Sequence, residues 1–233
     1  MPVRQFVTIN CEIGCTFVHN TSDPHRLQPV LTRGPRPAEA RLAAIVIHGR
    51  GASAESILTL ADELRLEDVV YLAPEAAGHT WYPNSFLAPI ADNEPGISSG
   101  IGVIDALVAQ LAQDGIGADR VALLGFSQGA CLSLEFAARH ARRYAGVFAL
   151  SGGLIGPPGT PRDYAGTFDG TPVFLGCSDG DAHIPLARVH ESAEVFRRMG
   201  AAVDERIYRG MGHTVNADEI AAVRAVLAPD TRE

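Results

Sequence analysis

Arg120-Val-Ala-Leu-Leu-Gly-Phe-Ser-Gln-Gly129, continued by Ala-Cys-Leu-Ser-Leu-Glu-Phe-Ala-Ala-Arg-His140, is the stretch that decides how this chain folds. Residues 120–126 are an apolar run of buried-strand length, and residues 128–140 read as a helix. Between them stands a G-x-S-x-G pentapeptide, Gly125 to Gly129, with Ser127 at its centre. A turn that tight from strand to helix strains the serine backbone, and a side chain at either glycine would collide with neighbouring elements. The helix start beneath Ser127 adds unpaired N–H groups and a partial positive charge. Glycine and serine are common in ordinary turns, so the pentapeptide alone is weak. Its strand–turn–helix setting makes Ser127 the candidate nucleophile.

The same alternation continues on both sides. Residues 42–47, 69–73, 145–150, 172–177 and 203–208 read as further strands, and residues 53–65, 97–112, 185–199 and 216–227 as helices. Short continuous apolar strands separated by amphipathic helices predict an α/β fold: a mostly parallel sheet of six strands with helices on both faces. Residues 6–9 and 29–32 are expected to add an antiparallel edge, within an otherwise irregular segment 1–41. The 233 residues suit one domain. Ligands of such sheets bind outside the carboxyl ends of the strands.

A serine hydroxyl needs a base to take its proton. In folds of this kind the nucleophile is followed in the chain by an acid and then a histidine, on loops after later strands. Of the eight histidines, only His213 in Gly210-Met-Gly-His-Thr214 lies after the last strand and before the last helix. The loop Ser178-Asp-Gly-Asp-Ala-His-Ile-Pro185 offers Asp179 and Asp181. Asp179 follows the strand so closely that a turn role is expected of it. Asp181 is better placed to reach His213. His183, on the acid's own loop, is expected at the pocket rim. The oxyanion hole is assigned to the backbone N–H groups of Gln128 and of Arg50 in His48-Gly-Arg-Gly51, with the His48 ring propping that loop.

Composition narrows the partners. With 19 basic against 27 acidic residues, a net charge of −8 and no basic block, nucleic acid is a poor partner. No run approaches the length of a membrane span, and residues 1–10 lack a signal-peptide core, so a cytoplasmic protein without stable membrane insertion is expected. Cys131 and Cys177 lie in apolar segments as small buried thiols, and the lone Cys11-x-x-x-Cys15 has no second pair to make a zinc site. No metal or cofactor is called for.

Taken in order, His48-Gly49, Gly125-Phe-Ser-Gln-Gly129, Asp181 with Ile184-Pro185, and Gly210-Met-Gly-His213 resemble the phospholipase/carboxylesterase family of α/β-hydrolases, which includes the acyl-protein thioesterases. The resemblance runs from about Leu42 to Val226. It implies an α/β-hydrolase fold, cleavage of a carboxylic ester or thioester, no metal or cofactor, and a homodimer in many members. Two loops depart from the thioesterase pattern: His48-Gly-Arg-Gly-Ala52, and Trp81-Tyr-Pro-Asn-Ser-Phe86. The Gly/Pro-rich residues 151–171 are too few for a lid domain. An open groove lined by Trp81, Tyr82, Phe86, Leu154, Ile155 and Met211 is expected, suited to short-to-medium acyl chains. Lysophospholipase activity, a dienelactone-hydrolase-like enzyme and a ligand-binding receptor on the same fold are the alternatives. A serine rather than a cysteine at position 127 counts against the second, and steady ester turnover would exclude the third.

Overall fold

In the computed structural model, which describes residues 4–5 and 23–229, eight strands form one sheet. They are β1 (Arg4–Gln5), β2 (Val30–Arg33), β3 (Leu42–Ile47), β4 (Val69–Pro74), β5 (Val121–Phe126), β6 (Gly146–Leu150), β7 (Pro172–Ser178) and β8 (Ala202–Tyr208). Their spatial order is β1-β2-β4-β3-β5-β6-β7-β8. The six strands from β4 across to β8 run parallel, as the apolar runs predict. The edge expected at residues 29–32 exists as β2, but its neighbours are β4 and β1, both antiparallel to it. The partner expected at residues 6–9 lies outside the described residues.

The helices are α1 (Ala54–Ile57), α2 (Thr59–Leu64), α3 (Gly96–Gln113), α4 (Gln128–Arg139), α5 (Leu186–Arg198) and α6 (Ala217–Leu227). The single helix expected over residues 53–65 is two short ones. The break falls at Leu58, whose carbonyl accepts a hydrogen bond from the Arg33 guanidinium of β2 at 3.1 Å. Ser53 starts α1 through a reciprocal cap with Ser56.

The sheet is buried on both sides, which is why its central strands are apolar throughout rather than alternating. Ala43, Ile45 and Ile47 face the layer of α3, α4 and α5, while Leu42, Ala44 and Val46 face α1, α2 and α6. Every residue of β3 and β4 is buried. Each large aliphatic side chain so placed contributes on the order of 1.5–3 kcal/mol. The 18-residue α3 has the length and apolarity of a membrane span, yet Ile97, Ile101, Ile104, Val108 and Leu111 are spent on the core of this fold. Residues 151–171 carry neither helix nor strand. The loops after β3, β5, β7 and β8 all open at the carboxyl ends of the parallel strands.

Candidate active site

Ser127 sits in the turn between β5 and α4 with φ 55° and ψ −119°, a left-handed backbone that L residues avoid. Both glycines of the pentapeptide are there for lack of room. A Cβ on Gly125 would come within 2.3 Å of the Gly129 carbonyl oxygen, and one on Gly129 within 2.1 Å of that of Ile47. The Ser127 N–H donates to the Leu150 carbonyl of the neighbouring strand at 2.9 Å, so the turn is fixed from β6 as well.

The hydroxyl of Ser127 donates to His213 Nε2 at 2.8 Å, and His213 Nδ1–H donates to Asp181 Oδ2 at 2.7 Å. The three residues come from loops after β5, β7 and β8, and the sheet brings them together. The Asp181 side chain is fully buried, whereas His213 keeps 20% of its surface. Asp181 Oδ1 also accepts the backbone N–H groups of His183 and Ile184 at 2.8 and 3.1 Å. Burial alone would raise the Asp181 pKa, but the bonds from His213 and the two amides outweigh it and hold the carboxyl below its ordinary range.

Two neighbours set the His213 loop. Asp179 Oδ1 accepts from the Gly210 N–H at 2.8 Å, and Ser178 Oγ from the Gly212 N–H at 3.1 Å. Asp179 therefore bonds a backbone amide as expected, but on the histidine's loop rather than its own. The His213 ring stands between Phe126, 5.0 Å away, and His183, 4.7 Å away edge to face. Phe126 and Ser178 are contributors that motif reading passes over, because neither position carries ionisable chemistry.

The two residues assigned to the oxyanion hole are tied to the serine by their neighbours: Gln128 follows it directly, and Arg50 follows Gly49. Gly49, beside Arg50, is close enough that a Cβ there would lie 3.3 Å from Ser127 Cβ. Gln128 is the first residue of α4, and the helix ladder leaves its N–H free. The buried His48 ring props its own loop. Nδ1–H donates to the Gly49 carbonyl at 2.8 Å, and Nε2 accepts from Ala76 N–H at 3.1 Å. Burial lowers its pKa, against the Gly49 carbonyl and the Glu75 carboxylate 3.1 Å from Nε2, which raise it.

The expected substrate groove needs correction. Trp81, Leu154 and Ile155 are fully buried, and Tyr82 and Phe86 nearly so. The Trp81 indole N–H donates to the His48 carbonyl at 3.0 Å, and its ring packs on His25 and His48. Leu154 and Ile155 turn inward because buried side chains of α5 and α4 satisfy their backbones: Ser192 Oγ accepts from Leu154 N–H, and Glu135 Oε2 from Ile155 N–H. Of the six, Met211 alone retains appreciable surface, and its sulfur accepts from Asn216 Nδ2 at 2.8 Å. The half-exposed Phe126 and the exposed His183, both against the His213 ring, are the accessible side chains beside the relay instead.

The family model for phospholipase/carboxylesterase matches residues 34–229. A crystal structure of a phospholipase/carboxylesterase from Dyadobacter fermentans is 39% identical, covers 87% of this chain and 97% of that one, and superposes with a TM-score of 0.84. The esterase PE8 structure is 25% identical over 84% of this chain and 95% of its own, with a TM-score of 0.71. In sequence, an acyl-protein thioesterase 1 from Yarrowia lipolytica is 27% identical over 84% of this chain and 96% of its own length. The chain belongs to the phospholipase/carboxylesterase family of α/β-hydrolases and is a hydrolase of the esterase and thioesterase class.

Proposed function

We propose that the chain, read as one catalytic domain, cleaves small carboxylic esters or thioesters through an acyl-enzyme on Ser127. The observation that carries this is the unbroken relay from Ser127 Oγ through His213 to the buried Asp181 at 2.8 and 2.7 Å. His213 Nε2 takes the hydroxyl proton as Oγ attacks the acyl carbon. Asp181 holds the imidazole in the Nδ1–H tautomer and stabilises the imidazolium that forms. The tetrahedral oxyanion accepts from the Gln128 and Arg50 N–H groups, donors fixed before the charge appears. His213 then returns the proton to the departing alcohol or thiol, and water repeats the sequence to release the acid.

The strained Ser127 backbone supports the same reading, since the turn projects Oγ clear of the sheet. Substrates of short-to-medium acyl length fit a site edged by Phe126, His183 and Met211 with no helical cap over residues 151–171. We also propose a cytoplasmic enzyme without membrane insertion, because the apolar face of α3 is used inside the fold, and a homodimer, to be read from its mass in solution. Turnover of p-nitrophenyl esters from acetate to palmitate tests the central reading. Steady multiple turnover, falling at the longest chains, is expected. A single stoichiometric burst would make the protein a receptor instead.

A further inference from the structure

The two amides assigned to the oxyanion hole come from different strands, Arg50 after β3 and Gln128 after β5. A hole of two donors works only if their separation is fixed before charge develops. Resting on that assignment of the hole, we infer that residues 79–84 form a strut that sets this separation, with the side chains of Gln128 and Arg50 as the positioning groups that grip it.

Both residues turn their side chains onto the same segment. Gln128, almost fully buried, accepts from Trp81 N–H through Oε1 at 2.9 Å and donates through Nε2 to the Tyr82 carbonyl at 2.8 Å. One backbone donor beside one backbone acceptor calls for a planar group offering one of each, and a primary amide is that group. The orientation of the amide follows, because the reverse would set donor against donor. Arg50 reaches the next two residues, donating to the Pro83 carbonyl at 2.9 Å and the Asn84 carbonyl at 2.5 Å. Its guanidinium lies 5.9 Å from the centre of the Tyr82 ring.

The strut is anchored on the oxyanion loop and on the body of the protein. Gly51 N–H donates to the His79 carbonyl at 2.8 Å, and the Trp81 indole donates to the His48 carbonyl at 3.0 Å. The buried His25 donates through Nε2 to the Trp81 carbonyl at 2.8 Å, and the buried Asn93 accepts from Asn84 N–H at 2.8 Å. A closed circuit results: Gln128 side chain, residues 81–84, Arg50 side chain, Gly49 and back to Ser127. This is what the buried Trp81 does in place of lining a groove. Apart from Ser127 itself, no member of the circuit bonds His213 or Asp181, so the strut governs where the oxyanion donors sit without altering the base.

The test uses Gln128→Met, which keeps the side-chain volume and removes both bonds. Losing one oxyanion donor costs about 10² to 10³ in kcat, and Gln128→Met is expected to lose about 10² with KM within about threefold of wild type. Inhibition by a trifluoromethyl ketone, which mimics the oxyanion, should weaken by a matching factor, while the pH midpoint for kcat stays in place. Gln128→Glu supplies the conservative rescue. A carboxyl group there can accept from Trp81 and donate to Tyr82 only when protonated, so its deficit relative to wild type should narrow as pH falls. Arg50→Met, at an exposed side chain, should lose about tenfold in kcat, an intermediate step on the same scale, and carries the test if Gln128→Met does not fold. Folded variants with wild-type kcat and unchanged ketone affinity, or a loss confined to KM, overturn the strut. Ser127→Ala run alongside separates the two levels: a turning-over Ser127→Ala overturns the site itself, whereas an inactive one beside an unaffected Gln128→Met overturns the strut alone.

Discussion

The loop after β7 and the first turn of α6 each bring a fully buried carboxylate to the flank of the His213 loop, and the two end in opposite states. Asp181 accepts from the His213 ring, from two backbone amides and, at 3.8 Å, from the Cys177 thiol, and its pKa is held down. Glu219 accepts one, from Asn216 N–H at 2.9 Å, and its Oε1 has no partner. That oxygen is wedged against the backbone of β7, where a Cβ on Gly176 would come within 2.1 Å of it. Burial, with a smaller push from Asp218, lifts the Glu219 pKa from 4.5 to about 7, against the one amide bond that opposes it. Glu219 is the more deeply desolvated of the two and has the fewer donors, and both differences favour a charged Asp181 and a neutral Glu219. The charged one faces the histidine. The other caps a helix.

The largest effect that would break this contrast is at Asp181. Asp181→Asn preserves shape, but the His183 and Ile184 N–H groups claim its amide oxygen and turn its NH2 toward His213 Nδ1, so the imidazole is held in the wrong tautomer and kcat should fall by about 10⁴. A loss under about tenfold would mean that the carboxylate does not govern the histidine. A smaller effect is expected next door. Asp179→Ala removes the acceptor for Gly210 N–H and should lower kcat by about tenfold, the worth of one hydrogen bond to a charged group. Asp179→Asn retains an acceptor and should stay within about threefold of wild type. Equal losses in Asp179→Asn and Asp181→Asn would show that the wrong aspartate has been named.

The third effect is on stability. A carboxyl whose folded pKa is raised favours the protonated folded state, so its contribution is greatest below 4.5 and declines as pH rises to about 7. That shift is on the order of 3 kcal/mol. Asp181 acts in the opposite sense. Its folded pKa is depressed, so its stabilisation is present above the unfolded value and lost as pH falls through the folded one. Urea unfolding of Glu219→Gln should therefore lose the decline between pH 4.5 and 7 while keeping the acid-side loss. An unchanged profile would show that Glu219 is not the titrating group.

What could be read from residues alone follows the same division between regular and irregular structure. β3 to β7 were legible because strands buried on both faces must be largely apolar along their length, and β8 only from Val203, Ile207 and Tyr208 around a charged centre. The relay was legible because Ser127, Asp181 and His213 follow strands in a fixed order. Residues 79–86 were not. Their backbone is satisfied by side chains far away in the chain, His25 and Gln128, and by Asn93 eight and nine residues on, and such contacts leave no periodicity. Aromatic residues in an irregular loop next to an active site suggest a groove, and only the bond from the Trp81 indole to His48 reveals that they face inward. Gln128 is the instructive case: motif reading assigns its N–H, while its side chain holds the strut.

One measurement bears on all of this: reaction with a fluorophosphonate, followed by mapping of the modified peptide. The expected result is a single adduct on Ser127, absent from Ser127→Ala, with esterase activity lost by about 10⁶ in that variant. An adduct on any other residue, or a Ser127→Ala protein within tenfold of wild-type turnover, would contradict the relay of Ser127, His213 and Asp181.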